Sequence, residues 1–334
     1  MTHLGPRLPV FASVAGWRKR LVRLAGIMAM GRGEARFSAA PPHWWRSPWL
    51  HPLPGFLLLA ALSVPPFLYA LYLSFVDIDI SVPNRPVHFV ALENYGRVLF
   101  THAGLHALGM TLLVSFGSTA LAIVVGFVLA YLIHQHGGRL SGLLTVLILI
   151  PLAVSPVVMA MVFSLMLDPL YGPIPQIIAA LGGPLISPTG TAAGALLTVI
   201  AMQTWQWSPL AVVLFVGALK SLPKETLEAA TIDGADAWNT LWHIRLPLLR
   251  PIIAVTAIFE FILCSQVFAA TELLTNGGPG NATVDLSLFI YKIGISESGQ
   301  VSLAAAAGVI TLALGILRAT VWLKVAKWDM RIYR

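Results

Sequence analysis

Positions 223–251 of the chain have the sequence PKETLEAATIDGADAWNTLWHIRLPLLRP, the most hydrophilic long stretch between two very apolar blocks. Pro223 suits the first turn of a helix, because its missing N–H would have no partner there. Good helix formers follow over residues 224–233. Gly234 then breaks the helix, since glycine enters a left-handed turn without strain. The first half of the stretch therefore predicts one short helix followed by a turn.

The second half of the stretch has a helical pattern over residues 235–246, with large side chains at three- and four-residue spacing. Pro247 and Pro251 are expected to end this helix, because proline lacks the N–H and clashes with the preceding turn. The stretch thus predicts two short helices joined at a glycine and held between membrane spans. We name the whole polar segment, residues 219–251, the knuckle.

Several positions of the knuckle form a specific pattern. They are Glu228, Ala229, Ala230, Asp233, Gly234, Ala235, Ile244, Leu246, Pro247 and Pro251. In this pattern the knuckle resembles, without a gap, the EAA loop of ABC-importer permeases. Leu241 and His243 differ from the residues common in that family but keep their general character. In the family the first helix of the loop docks into a groove on an ATPase subunit, and the resemblance implies this role for residues 228–234.

The composition of the chain is that of a membrane protein. Hydrophobic residues make up 57% and charged residues only 10%, with a mean hydropathy of +0.81, whereas a soluble domain has about 25% charged residues. Cys264 is the only cysteine, which excludes an intramolecular disulfide. The sequence has no G-x-x-x-x-G-K-[ST] phosphate loop and no H-E-x-x-H motif. We therefore expect no catalysis, cofactor or metal ion on this chain.

Residues 1–52 are rich in proline, tryptophan and arginine. A secretory signal peptide needs an unbroken apolar core of about 7–15 residues and a cleavage site of small residues. The apolar run before Gly31 is too short for this role. We predict a basic cytoplasmic tail, partly an interfacial helix. The alternative is that translation begins at Met28 or Met30.

Long apolar runs predict six transmembrane helices, since each needs about 20 apolar residues. The runs cover residues 53–76, 106–133, 142–166, 191–219, 252–270 and 303–325. The expected fold class is an all-α integral membrane protein. Its six-span domain, residues 53–325, lies between the N-terminal tail and a short C-terminal tail, residues 326–334.

The basic residues are distributed unevenly between the two sides of this topology. Eighteen of the 21 lysines and arginines lie in residues 1–52, at Arg139, in the knuckle or in residues 318–334. Because cytoplasmic segments of membrane proteins carry the excess of lysine and arginine, both termini and the knuckle are predicted to be cytoplasmic. The net charge of +7 is then explained by orientation in the membrane, and we expect no nucleic-acid partner.

Glu260 is the only acidic residue well inside a predicted span. A carboxylate in the middle of a membrane is costly unless it faces a cavity or a partner. One hypothesis is that Glu260 lines a translocation pathway and binds a polyol. The alternative is a structural bond to a neighbouring helix, or a protonated carboxyl group.

A second set of candidate pathway residues lies in the fourth and fifth spans. Gln203, Gln206 and Gln266 carry amides that can donate to and accept from sugar hydroxyls, and Trp205 and Trp207 offer flat apolar faces. Sugars present both kinds of surface. For the tryptophans, packing between helices is the alternative that we favour.

Residues 274–279, Leu-Thr-Asn-Gly-Gly-Pro, are followed by Thr283. This stretch resembles the L-T-x-G-G-P…T motif of carbohydrate-importer permeases of the maltose and glycerol-phosphate type. The glycines and proline predict a tight external turn. The choice of a carbohydrate substrate rests on the resemblance alone.

Together, the two motifs and the order of spans are similar to a permease subunit of a bacterial ABC importer for a sugar or sugar derivative. That resemblance implies an inner-membrane location, a second homologous permease subunit, an ATPase dimer that binds ATP and magnesium, and an extracytoplasmic solute-binding protein. It also implies alternating access within the lipid bilayer. The alternatives are an importer of a non-sugar solute and an autonomous ion-coupled transporter, which would be expected to carry several ionisable groups inside its spans.

Overall fold

The computed structural model of the chain describes residues 52–82, 86–136, 138–184 and 187–331. The predicted N-terminal tail lies outside these ranges, except for its last residue. The chain divides into two compact units, residues 1–64 and residues 65–334.

The described residues are mostly helical. The helices are α1 (Leu53–Ser74), α2 (Glu93–Phe100), α3 (His102–His136), α4 (Gly138–Ala153), α5 (Pro156–Met166), α6 (Pro173–Ala180), α7 (Ala192–Lys220), α8 (Lys224–Ile232), α9 (Ala237–Thr240), α10 (Leu246–Cys264), α11 (Phe268–Ala270), α12 (Leu286–Tyr291) and α13 (Val301–Arg331). Two short antiparallel strands, β1 (Val76–Asp77) and β2 (His88–Phe89), precede α2.

Five helical segments in the described part of the chain are long and apolar enough to cross a membrane. They are α1, α3, α7, α9 joined to α10, and α13. The bent pair of α4 and α5 makes a sixth span if it is counted as one. The prediction of an all-α membrane protein with six spans is confirmed, with a correction to the third span and to the boundaries of the others.

The third span is broken. The helices on either side of Val154 and Ser155 meet at an angle of 97°. Ser155 is extended, with φ −59° and ψ 137°, as expected for the residue before a proline. Pro156 then begins α5. Residues 142–166, which were predicted as one span, therefore form two helices that point in different directions.

The knuckle does not end at its prolines. α9 continues through a π-helical turn, Leu241–Arg245, directly into α10. The N–H of Leu246 donates to the carbonyl of Leu241, five residues earlier. This wider turn relieves the contact between a proline ring and the preceding turn. The expectation that Pro247 and Pro251 end the second helix is wrong, because both lie inside the first turns of α10.

A stripe of small residues allows α3, α7 and α10 to pack closely. The buried positions of α3 recur every three or four residues and are nearly all glycine, alanine, serine or threonine. A Cβ atom at Gly126 would lie 2.5 Å from the Cβ of Ala211 on α7. Small residues at helix contacts let backbones approach and gain dispersion energy in a bilayer. These three helices form the centre of the larger unit.

The segments predicted as external loops are partly folded. α2 and α12 pack against α13 and the first turns of α3. Val98, Ala107, Leu286, Leu288 and Ala307 are fully buried in the cluster that these helices share. The connection between the last two spans is therefore a folded element and not an open loop.

Candidate functional site

The residues of the knuckle motif divide between an outer and an inner face. Glu228, Ala229, Asp233 and Gly234 are exposed, whereas Ala230 is only 6% exposed. The remaining motif residues are half-buried: Ala235, Ile244, Leu246, Pro247 and Pro251. The motif thus combines exposed residues on α8 with half-buried residues in the π turn and the first turns of α10.

The turn at Gly234 explains why the motif has glycine at this position. Gly234 has a φ of +78°, which favours glycine. Its N–H donates to the carbonyl of Thr231, and the N–H of Ala235 donates to that of Ala230. These two bonds form the Schellman motif that commonly ends a helix. Asp236 then caps α9 by accepting from the N–H of Asn239 at 2.7 Å, a role that the N-cap pattern could have revealed.

Apolar side chains are exposed next to the acidic ones on the outer face of the knuckle. Ile232 is 86% exposed, and Trp238 and Trp242 are 65% and 51% exposed. The two indole rings are in edge contact, with centroids 5.5 Å apart. We define the outer face as the exposed residues Glu228, Ala229, Ile232, Asp233, Gly234, Trp238 and Trp242. An exposed apolar patch with polar neighbours is typical of a protein-binding surface.

The knuckle is held to the spans from its inner side. The guanidinium of Arg245 lies over the ring of Tyr131 on α3, 5.5 Å from its centroid. Leu249 is buried with Phe215 and Leu219 of α7. These contacts join the end of the knuckle to α3 and α7.

Glu260 is fully buried between spans. Its Oε1 accepts a hydrogen bond of 3.1 Å from the backbone N–H of Ala211 on α7. Ala211 follows Pro209, which lies inside α7 and interrupts the helical hydrogen bonds there. This geometry favours the structural alternative for Glu260, and its contact with a transported polyol stays a prediction.

The two glutamines of α7 are also buried and bonded to other helices. The Nε2 of Gln203 lies 3.4 Å from the carbonyls of Cys264 and Gln266, just where α10 ends. The Nε2 of Gln206 donates to the carbonyl of Val154 at 3.1 Å. Val154 is at the break of the third span, where a free carbonyl in the membrane would be costly. The glutamines thus satisfy carbonyls that two helix ends leave without partners.

The structure does not bring the predicted pathway residues into one site. Trp205 is 45% exposed and contacts Phe163, with ring centroids 5.8 Å apart. Trp207 is half-buried, and its indole N–H has no hydrogen-bond partner. Gln266 is exposed. Their roles toward a substrate stay predictions.

The Leu-Thr-Asn-Gly-Gly-Pro segment is a cross-linked turn. The hydroxyls of Thr275 and Thr283 are 2.7 Å apart, and Thr283 also donates to the carbonyl of Gly278. Gly277 has a φ of +77°, and a Cβ there would lie 2.6 Å from Val284. The trailing threonine of the motif therefore closes the turn that the glycines allow.

Asp285, which sequence reasoning did not identify, fastens this turn to α12. Its carboxylate accepts from the backbone N–H groups of Ser287 and Leu288 and from the hydroxyl of Thr271 at 2.7 Å. The sequence signal for this role is an aspartate directly before a short apolar run, which is typical of a helix N-cap.

Arg318 lies where two predictions overlap, the sixth span (303–325) and the cytoplasmic basic residues 318–334. The structure places it within α13, with its guanidinium over the ring of Phe261 of α10 at 5.3 Å. The remaining basic residues keep the asymmetry on which the predicted orientation depends.

Comparisons with known proteins agree with this architecture. Residues 122–326 match the family described as binding-protein-dependent transport system inner membrane component. The chain is 32% identical over 248 residues to the trehalose/maltose transport system permease protein of Thermococcus litoralis, covering 74% of this chain and 82% of that protein. It is 29% identical over 233 residues to the multiple sugar-binding transport system permease protein of Streptococcus mutans, covering 69% and 78%.

The fold is also similar to that of a solved transporter. A chain in the crystal structure of a bacterial alginate ABC transporter, in complex with an alginate pentasaccharide-bound periplasmic protein, matches with a TM-score of 0.68. The match covers 87% of this chain and 94% of that chain at 18% sequence identity. At this identity the similarity is one of fold alone.

Proposed function

Because the chain belongs to the family of binding-protein-dependent transport system inner membrane components, we propose that it forms half of the translocation pathway of an ATP-driven importer for a sugar or sugar derivative. Family membership makes it a multi-pass protein of the inner membrane and a permease component. The sugar substrate is supported by the names of the relatives, which transport trehalose, maltose and multiple sugars. The Thr275–Thr283 turn supports the same substrate class by resemblance.

The observation that carries the proposal is the outer face of the knuckle. Its exposed isoleucine and tryptophans belong to the same short segment as the exposed Glu228 and Asp233, and Asp236 caps α9. Such a surface needs a partner that buries it. We infer that the partner is one subunit of an ATPase dimer, which binds ATP and magnesium while this chain holds no cofactor.

Coupling follows from the continuity of the knuckle with the membrane. When the ATPase dimer closes, a push on α8 acts through α9 and the π turn on α10, which has no interruption before Cys264. The Glu260–Ala211 bond and the Arg245–Tyr131 contact pass this movement to α7 and α3. The chain itself forms no covalent intermediate; its helices reorient so that the pathway opens alternately to each side.

Two more partners complete the proposed importer. A second, homologous permease provides the other half of the pathway, and an extracytoplasmic solute-binding protein delivers the sugar. The knuckle and both termini are cytoplasmic in this arrangement, which agrees with the excess of lysine and arginine on that side.

Affinity purification of the tagged chain in mild detergent, followed by mass spectrometry, tests the proposal. We expect an ATPase and a second permease to co-purify with the wild-type chain. Replacement of Glu228 by Lys together with Gly234 by Val should release the ATPase. The matched control is Glu225→Lys, which makes the same change of charge on the same exposed helix, outside the motif. A chain that purifies alone and moves solute into liposomes without ATP would contradict the proposal.

A further inference from the structure

A groove of about 600 Å³ lies between α10 and α13. This volume is within the range of about 300–1,000 Å³ that small-molecule sites have. Gly308 and Gly315 lie along its α13 side, and nothing occupies the space where a Cβ atom of either would be. The groove is therefore open along the backbone of α13.

Arg318 lies in this groove and has unmet hydrogen-bonding capacity. Its Nε donates to the carbonyl of Leu314 at 3.2 Å, and its guanidinium stacks over Phe261. The Nη1 atom is buried and has no hydrogen-bond partner. Among the described residues, no carboxylate lies within ion-pair distance of Arg318.

The depth of Arg318 in the membrane indicates what kind of environment its guanidinium must face. Phe261 lies nine residues, about 14 Å, beyond residue 252, where the fifth span is predicted to begin. Because the hydrocarbon core is about 30 Å thick, a guanidinium over this ring is inside the apolar layer. A cation there is strongly unfavourable against lipid and is expected to face a pathway or a partner group.

Other polar groups of the groove complement the guanidinium. The hydroxyl of Ser265 donates to the carbonyl of Phe261, and that of Thr311 donates to the carbonyl of Ala307. Since their protons are used in this way, both oxygens present lone pairs to hydroxyl donors. The groove thus offers two acceptors and one cationic donor, which rests on the ring of Phe261.

We propose that this groove is a subsite of the translocation pathway in which Arg318 binds an anionic group, a carboxylate or phosphate, on the transported sugar. The inference rests on the proposed function and narrows its substrate class to acidic sugar derivatives. The hydroxyls of Ser265 and Thr311 bind the sugar hydroxyls, and the ring of Phe261 supports the guanidinium. A planar guanidinium matches carboxylate and phosphate geometry better than an ammonium does.

The test uses proteoliposomes that contain the importer purified through this chain, with its binding protein. ATP-driven uptake is measured for pairs of labelled probes that differ in one anionic group: glucose and glucuronate, galactose and galacturonate, glycerol and glycerol 3-phosphate. Maltose and trehalose complete the set. We expect uptake of the anionic member of at least one pair.

Uptake of neutral probes only would overturn the inference and leave the proposed function standing. If no probe enters, the proposed function fails and the inference fails with it. Arg318→Gln should lower uptake of the anionic probe at least tenfold, and Arg318→Lys should restore part of it. The control is Lys324→Gln, an exposed basic residue on the same helix, which should match the wild type. Unchanged uptake with Arg318→Gln would also overturn the inference.

A second variant keeps the test decisive if Arg318→Gln fails to assemble. Gly315→Leu puts an apolar side chain into the groove at a position where nothing lies within 4 Å of the new Cβ atom. We expect an intact complex with at least tenfold lower uptake of the anionic probe. Loss of the second permease from the purified complex would instead assign the groove to the contact between permeases and refute the subsite.

Discussion

The knuckle and the middle of α10 belong to one continuous helical path, yet their polar groups are satisfied in opposite ways. In the knuckle the bonds are local. Asp236 caps α9 by accepting from an N–H three residues further along the chain, and the turn at Gly234 closes within six residues. In the membrane several bonds join distant segments, as Glu260 bonds to Ala211 of another span. The outer face of the knuckle is exposed, whereas a polar group that faces lipid has no water to bond.

Because of this difference, local bonds determine the shape of the knuckle, whereas bonds between helices determine how the spans pack. The knuckle keeps its form through its own residues and can present the outer face to a partner. The buried polar groups of α7 and α10 fix how the spans lie against each other. Changes in the knuckle should therefore affect coupling, and changes within the membrane should affect stability.

The largest effect is expected from Ala230→Pro, which puts a proline inside α8. Proline in a helix interior costs about 3 kcal/mol and removes an N–H donor. ATP-driven uptake should fall to background while the chain still inserts into the membrane, as measured by transport and by the yield of membrane-extracted protein. Lys224→Pro is the control: it lies at the first helical position, where proline is tolerated, and Pro223 already has the extended ψ of 120°. Equal loss of uptake in both variants would contradict the conclusion that the knuckle keeps its form through its own residues.

The next largest effect is expected from substitutions of Glu260. Glu260→Ala leaves the N–H of Ala211 without its acceptor and creates a cavity, so the free energy of unfolding should fall by about 3 kcal/mol. Glu260→Gln keeps an acceptor oxygen and should retain most of the stability and uptake. Thermal unfolding of the purified complex and transport assays measure both. If the Gln variant is stable but inactive, Glu260 acts in the pathway and the structural interpretation is wrong.

A smaller effect is expected at Asp285, which joins the external turn to α12. Asp285→Ala removes a cap and a buried bond to Thr271 and should cost about 2 kcal/mol. Amide hydrogen exchange in residues 286–291 should become faster. Asp285→Asn keeps one acceptor and should show less of this change; equal exchange in the wild type and the Ala variant would exclude a capping role.

The smallest effect is expected at Asp236. Asp236→Ala should destabilise α9 by about 1 kcal/mol, because the N–H of Asn239 loses its acceptor. We expect faster amide exchange in residues 237–240 and less than a twofold change in uptake. Asp236→Ser retains a capping oxygen and should behave like the wild type. A large loss of transport in the Ser variant would show that the carboxylate itself belongs to the docking surface.

The two regions also differ in how far the sequence predicts them. The form of the knuckle follows from Pro223, Gly234 and the helix formers between them, because capping depends on neighbours in the chain. The spans follow from long apolar runs. Both predictions use local information, and the structure confirms both apart from the helix ends and the break in the third span.

The features that were not predicted depend on packing between distant segments. The break at Ser155 requires Gln206 to satisfy the carbonyl of Val154, a bond across 52 positions of the chain. The place of Arg318 depends on Phe261 of a different span. Pro247 was expected to end a helix, since the rule for proline in a regular turn does not include the wider turn that precedes it.

The π turn at residues 241–245 also determines the direction in which the side chains of α9 point relative to those of α10. Each residue of a regular α-helix advances the next by about 100° around the axis, and a π turn accommodates one additional residue in a single turn. If residues 237–264 formed a regular α-helix, Trp238 would point about a quarter of a circle away from its present direction relative to Glu260. The direction in which the knuckle faces its partner is therefore determined by one additional residue in the turn directly before α10.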